Sequence, residues 1–231
     1  MAEQMLQKNK KDRKANPFDP KGASGMVCVL LHDVACILAV ITFLFVFLAR
    51  LVGVSGSSMY PTLVGGRNST EESGDYLVLL SNFIDSDYQP GDIVVACVPK
   101  FEDGKPIVKR VIAKGGQTIR FQYAEGADPN TAPLRVFVDG VMLDEPYINP
   151  NNGVMREYGV GVDGYETVVP EGSYFLMGDN RNNSTDSRYP AIGFVDGRYI
   201  VGKALWVVFP GKDLFRDEKR DWSRFGDVYG N

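Results

Sequence analysis

Three separated stretches of this chain carry side chains that could do chemistry together. In the first, Ser55-Gly-Ser-Ser-Met-Tyr-Pro-Thr-Leu63, Ser58 offers a hydroxyl. Gly56 permits a tight backbone beside it, Pro61 fixes a turn, and Met59 and Leu63 can line an apolar cleft. The second, Ile107-Val-Lys-Arg-Val-Ile112, sets two adjacent cations, Lys109 and Arg110, into an apolar strand-like run. The third, Met177-Gly-Asp-Asn-Arg-Asn-Asn-Ser-Thr-Asp-Ser-Arg188, alternates acids, guanidinium groups and amides. Each stretch also has a plain reading: a Gly/Ser linker, an edge strand with both heads in water, and a solvated loop or a glycan acceptor at Asn183.

A serine hydroxyl attacks a carbonyl only when a base removes its proton. The chain has one histidine, His32, just before the uncharged run Val34 to Ala49, whereas Ser58 lies just after it. If that run spans a bilayer, the two residues lie on opposite sides and a Ser-His-Asp arrangement within one chain is excluded. Lysine is the remaining base, because a Lys held among apolar side chains loses its charge by desolvation. Arginine cannot give up its proton near neutral pH, so Lys109 is the candidate base and Arg110 a structural or ion-pairing residue. The Asp and Arg side chains of the third stretch could form a buried hydrogen-bonded frame around such a pair.

The elements that would position these residues begin with the apolar run. The 21 residues from Val34 to Val54 make about 31 Å of helix, enough to cross a hydrocarbon core. Arg50 is tolerable near its end, since its long stem can snorkel toward the headgroups. Residues 1–25 hold six basic and three acidic side chains, a local net charge of +3. The positive-inside rule then leaves the N-terminus in the cytoplasm and everything after Val54 outside. A cleaved secretory signal has the same order of regions, but the uncharged core here is longer than a usual signal core. The expected organisation is a basic cytoplasmic segment (1–25), a membrane anchor (26–54) and an extracytoplasmic catalytic domain (55–231).

With a formal charge of −4 for the whole chain, residues 26–231 carry −7. No basic stripe exists to neutralise phosphates, so nucleic acid is excluded as a partner. Cys28 and Cys36 lie in or near the span and Cys97 stands alone outside it, so neither an intrachain disulfide nor a metal cluster is expected. No cofactor is implied. Beyond residue 54 the pattern is short apolar or alternating runs cut by Gly, Pro, Asn and Asp. Tyr76–Leu80, Asp92–Val98, Pro106–Ile112, Gln117–Tyr123, Leu134–Val138, Ser173–Met177 and Val201–Phe209 read as strands. Val138-Asp-Gly-Val141 reads as a hairpin turn. The fold class is mainly β, an antiparallel core behind one N-terminal transmembrane helix, with the charged tail after Gly211 peripheral.

Taken in order, these segments resemble the type I signal peptidases, the bacterial leader peptidase family of membrane-anchored Ser-Lys proteases that remove signal peptides from exported proteins. The serine box Ser-Met-x-Pro-Thr-Leu matches Ser58 to Leu63, and the Gly-Asp-x-Val-Val box matches Gly91 to Val95. Lys-Arg-Val matches Lys109 to Val111, and Gly-Asp-Asn-Arg-x-Asn-Ser-x-Asp-Ser-Arg matches Gly178 to Arg188. Four boxes in the family's order behind an anchor are far more specific than any one of them.

The resemblance implies roles residue by residue. Ser58 would be the nucleophile, Lys109 the general base and Ser184 the serine that orients the lysine. Asp179, Arg181, Asp186 and Arg188 would support the site. Shallow apolar pockets for small substrate side chains would involve Val54, Met59, Leu63, Ile107 and Val108. The substrates would be signal peptides of exported preproteins, presented at the lipid bilayer. The implied fold inserts a small β lobe at about residues 121–172, and the implied location is the plasma membrane in a single pass with the N-terminus cytoplasmic.

Two departures stand out. Gly56 occupies a position where some members place a serine whose hydroxyl helps bind the oxyanion, so the oxyanion must rely on the Ser58 backbone N–H and on Gly56 or a neighbour. Asn182 replaces an aspartate often found in the last box. Residues 65–73 form an insertion with no catalytic counterpart. Two other readings compete. A self-cleaving repressor shares Ser-Lys chemistry but needs a DNA-binding domain where this chain has an anchor, and a non-catalytic anchored β domain gives no reason for Ser58 and Lys109 to stand in matching contexts.

Overall fold

A computed structural model describes residues 23–66, 74–148, 154–212 and 219–229 of the 231-residue chain. The chain divides into two compact units that meet in sequence between Val46 and Phe47. The first holds all but the last residue of the helix α1 (Ala23–Phe47). Its apolar window, Gly25–Phe45, is 21 residues long, about 31 Å at roughly 1.5 Å per residue. Apolar side chains are exposed along this window, which is long and apolar enough to cross a membrane.

The helix lies further toward the N-terminus than the sequence pattern placed it. His32 and Asp33 fall inside it, and Ala49–Gly53 is a strand rather than the end of the span. Helical backbone does not stop at a polar pair, and Met26 to Leu31 continue the apolar pattern on its other side. His32 contacts its own neighbours Asp33 and Cys36.

The second unit is built from strands. In chain order they are β1 (Ala49–Gly53), β2 (Tyr76–Ser81), β3 (Ile93–Cys97), β4 (Pro106–Lys114), β5 (Thr118–Gln122) and β6 (Arg135–Val138). There follow β7 (Val141–Met142), β8 (Glu166–Val168), β9 (Ser173–Met177), β10 (Val195–Asp196), β11 (Ile200–Phe209) and β12 (Gly226–Asp227). One antiparallel sheet runs β1-β2-β11-β3-β4-β9-β10 with β12 on β11, and a smaller one runs β7-β6-β5-β8. The β6–β7 hairpin turns at Asp139-Gly140, both at positive φ, as the Asp-Gly pair predicts.

Alternation along β2 sorts its two faces. Leu77 and Leu79 are fully buried and pack with Met59, Leu63, Ile93, Val95, Ala204 and Val207, which seats the serine segment on the sheet. Each such fully buried aliphatic side chain contributes about 1.5–3 kcal/mol. On the opposite face Leu51, Val78 and Trp206 stand in register across β1, β2 and β11. Tyr76, Phe209 and Trp222 extend that row through edge-to-face ring contacts, and Leu51, Trp206, Phe209 and Trp222 are exposed. Strands β3 and β4 are buried on both faces, so Lys109 and Arg110 are both interior.

The tail is not peripheral. Val228 is buried in the core beside Leu77 and Val207, and β12 pairs with β11. The Tyr229 hydroxyl accepts from Ile93 N at 2.9 Å and donates to Ala204 O at 3.1 Å. Charge suggested a solvated end, but the aromatic and Val positions within 219–229 supply enough apolar surface to dock.

Candidate active site

Lys109 and Ser58, 51 residues apart in sequence, meet at 2.7 Å from Nζ to Oγ. Strand β4 carries Lys109 into the core, where it is 4% exposed and also donates to Val108 O at 3.0 Å. Burial lowers its pKa to about 8, an effect partly offset by the charges of Asp186 and Asp179. A substantial fraction of the amine is therefore neutral just above neutral pH, which a general base requires.

Arg110, on the other face of β4, is held as a structural cation. Its Nε and Nη2 bind the two oxygens of Asp179 at 2.8 and 2.7 Å, Nη1 reaches Gly91 O at 2.8 Å, and the guanidinium lies 3.9 Å from the centre of the Tyr147 ring. Asp179 also accepts from Thr62 Oγ1 at 2.6 Å, so one carboxylate ties the serine segment to the lysine strand. Both members of the ion pair are buried.

The polar run after β9 folds into a frame rather than a solvated loop. Asp186 accepts from Gly178 N at 3.0 Å and from Arg188 Nε and Nη2, both at 2.8 Å. Burial alone would push the Asp186 carboxyl up, but the Arg188 hydrogen bonds and charge hold it below the usual range. Arg188 reaches Arg181 O at 2.7 Å, while Arg181 binds Gly178 O at 3.1 Å and pairs with Glu145. The Ser184 hydroxyl is buried and makes no close hydrogen bond among the described residues, yet it lies near enough to Asp186 to help hold that carboxyl down.

Sequence reasoning missed several residues that fix the nucleophile. Asn180 donates from its backbone N–H to Ser58 O at 3.0 Å and from its side chain to Ser57 O at 2.9 Å. Asn183 Nδ2 holds Ser57 Oγ at 2.8 Å. Both asparagines stand inside the Gly178–Arg188 run, and the Asn180 amide, which must donate to a backbone carbonyl, cannot be replaced by a carboxylate. Asn182 makes a third such link, to Val154 O at 2.9 Å, while its oxygen accepts from Arg156 N at 3.0 Å.

Gly178 is where these pieces close on one another. A Cβ there would lie 2.3 Å from Ser184 Oγ and 2.4 Å from Ser58 O. Gly178→Ala must therefore push Ser184 or the Ser58 loop aside. We expect turnover to fall about a hundredfold, the typical cost of an ångström of misplacement, with far-UV circular dichroism unchanged.

The C-terminal segment braces the same loop. Arg224 donates to both oxygens of Asp75, at 3.1 and 2.8 Å, and to Thr62 O at 2.9 Å. Asp75 is fully buried and also accepts from Val64 N at 2.7 Å and Gly211 N at 2.6 Å. Arg224→Ala strips a buried carboxylate of its counter-charge, and we expect about 3 kcal/mol of lost stability in chemical denaturation, with reduced activity.

A cleft of about 370 Å³ opens over the dyad. Val54, Met59, Ile107 and Val108 line it, along with Gly56, Asn183 and Thr185. Leu63 is not in the lining. It lies fully buried beneath, in the cluster that carries Val54 and Met59. The hydrogen bonds of β4 to β9 begin only at Arg110, so Pro106–Lys109 pair with β3 alone and keep one edge open toward the cleft.

The family described as signal peptidase, peptidase S26, matches residues 28–209. Signal peptidase I of Bacillus amyloliquefaciens is 34% identical over 185 residues, covering 78% of this chain and 85% of that protein. Signal peptidase I T of Bacillus subtilis is 34% identical over 184 residues, covering 78% and 83%. A crystal structure of a signal peptidase I from Enterococcus faecalis V583 is 28% identical, with a TM-score of 0.37, and covers 51% of this chain and 96% of that one. The chain belongs to the signal peptidase family, peptidase S26, and is a serine peptidase of that family.

Proposed function

We propose that this protein is a membrane-anchored endopeptidase that removes signal peptides by Ser-Lys acyl-enzyme chemistry. The observation that carries the reading is the 2.7 Å contact between the buried Lys109 amine and the Ser58 hydroxyl. Neutral Lys109 takes the hydroxyl proton as Ser58 Oγ attacks the scissile carbonyl. The resulting ammonium passes that proton to the leaving amine. The same lysine then activates a water to release the acyl group. The Ser58 backbone N–H, helped by Gly56, faces the developing oxyanion.

Ser184 is assigned to the protonated lysine. An ammonium has three donors; Ser58 Oγ and Val108 O take two. The Ser184 hydroxyl, buried close to the Ser58 loop and turned to donate toward Asp186, keeps its oxygen as a third acceptor. Asp179, Arg181, Asp186 and Arg188 hold the frame. A substrate in extended conformation adds to the open edge of Pro106–Lys109 by backbone hydrogen bonds. Its side chains before the cut then meet Val54, Met59, Ile107 and Val108.

The helix α1 anchors the enzyme in a single pass, with the basic N-terminal segment cytoplasmic and the catalytic unit outside. The exposed row Leu51, Trp206, Phe209 and Trp222 suits the headgroup region, where aromatic rings are favoured. The test is to incubate the purified full chain in detergent with a preprotein and identify the new N-terminus by mass spectrometry. One cut after a small residue is expected; no cut, or cuts without regard to the preceding side chain, would overturn the reading. Protease added outside sealed cells should digest the catalytic unit, and full protection would reverse the orientation.

A further inference from the structure

A second depression, of about 570 Å³, lies beside the catalytic cleft and shares Asn183 and Thr185 with it as a common wall. We propose that it is the subsite for the mature side of the substrate, and that Arg156 there selects for an acidic side chain shortly after the cut. The inference rests on the peptidase reading above and assigns the part of the substrate that reading leaves unplaced.

The direction follows from the cleft. Residues before the scissile bond lie along Val52–Gly56 and Pro106–Val108, and Ser58 and Lys109 mark the reacting carbonyl. The other wall of the cleft is Asn183 and Thr185, so a chain continuing past the dyad crosses that wall. Beyond it lie Arg156, Glu157, Tyr158 and Asn182. Past that wall the apolar side chains Val54, Met59, Ile107 and Val108 give way to charged and amide groups.

The depression is built, not incidental. Asn182 clamps Val154 O and Arg156 N, fixing this strip of the second lobe to the catalytic frame. The Tyr158 ring stacks on Tyr189 with centroids 6.3 Å apart, and the Arg188 guanidinium lies 5.5 Å from the centre of the Tyr158 ring.

The charges in it are unequal in availability. The Arg181 guanidinium is buried and paired with Glu145. Glu157 turns one oxygen to Asp163 N at 3.0 Å. Arg156 is exposed and makes no ion pair among the described residues. A carboxylate on the substrate would find in Arg156 a planar donor that can bind both its oxygens.

The test uses the full-length enzyme in detergent and three preproteins that differ only at the second residue after the cut: Glu, Gln or Lys. The wild type should cut the Glu substrate about three- to fivefold faster than the Lys one in kcat/KM, the size expected of one exposed ion pair. Arg156→Glu should reverse that order, cutting the Lys substrate faster than the Glu one. Raising the salt concentration should shrink both preferences. An unchanged order in Arg156→Glu, or equal slowing of all three substrates, would overturn the proposal. If the wild type cuts none of them, the peptidase reading itself falls and takes this one with it; cutting of the Gln substrate keeps the two failures apart.

Discussion

Ser58→Ala and Lys109→Met should each reduce preprotein cleavage by roughly 10⁴-fold or more, and the double variant should lose little beyond either single one. Residues that act as one unit are strongly non-additive, because removing either member disables the same step. In Ser58→Ala no oxygen remains to form the acyl-enzyme. In Lys109→Met the hydroxyl keeps its place on the turn held by Asn180 and Asn183, but its 2.7 Å partner is gone. No other side chain is in hydrogen bond with Ser58 Oγ among the described residues to take over. The measurement is single-turnover cleavage of a preprotein in detergent, and clearly additive losses would argue against a shared proton transfer.

Lys109→Met should also make the protein more stable near neutral pH. The folded-state pKa of Lys109, about 8, lies below its ordinary 10.5. Between those values the unfolded chain binds more protons than the folded one, so stability rises with pH there. Below pH 8 the whole penalty is in force, about 3 kcal/mol for such a gap. Methionine fills a similar volume without charge, so the variant should resist denaturant better at pH 6–7, with the advantage fading as pH approaches 10. The same displacement of pKa shapes the catalysis. With the free enzyme's lysine titrating near 8, kcat/KM should rise about tenfold per pH unit below pH 7 and level off above pH 8. A stabilising substitution that abolishes activity is the signature of a residue kept for function against its environment.

Much of the fold could be read before any coordinates. All seven long strands anticipated from short apolar or alternating runs are present, because runs such as Tyr76–Leu80, rich in aliphatic residues and bounded by turn formers, are too short for a helix. The short strands β7, β8, β10 and β12 carry too few residues to show a period. Strand β1 was hidden for a different reason. Ala49–Gly53 continues the apolar run of the helix, and what makes it a strand is pairing with β2, which sets Ala49 against Leu80 and Gly53 against Tyr76. The tail was misjudged on its charge, since Arg224 is bound to a buried aspartate rather than to water.

At the site, motif order pointed to Ser58 and Lys109 but said nothing of what holds them. Alternation could not choose between Lys109 and Arg110, since β4 buries both. The choice came from acidity, and the structure gives each cation a different neighbour, a hydroxyl for one and a carboxylate for the other. Asn180, Asn183 and Thr62 went unread because a polar side chain in a loop-like run has many possible partners, and only the folded chain selects one. Leu63 shows the converse, as proximity to Ser58 in sequence suggested a cleft wall and packing placed it underneath.

The Ser58–Lys109 chemistry depends on the protonation of one amine. Isotope labelling of the lysine side chains in the inactive Ser58→Ala full-length protein, with the Lys109 resonance assigned by its loss in the Lys109→Met variant, allows that amine to be titrated by NMR. Ser58→Ala removes the hydroxyl contact but leaves the burial that dominates the shift. A midpoint near 8 is the predicted result; a midpoint at or above 10, the value of a lysine in water, would contradict it.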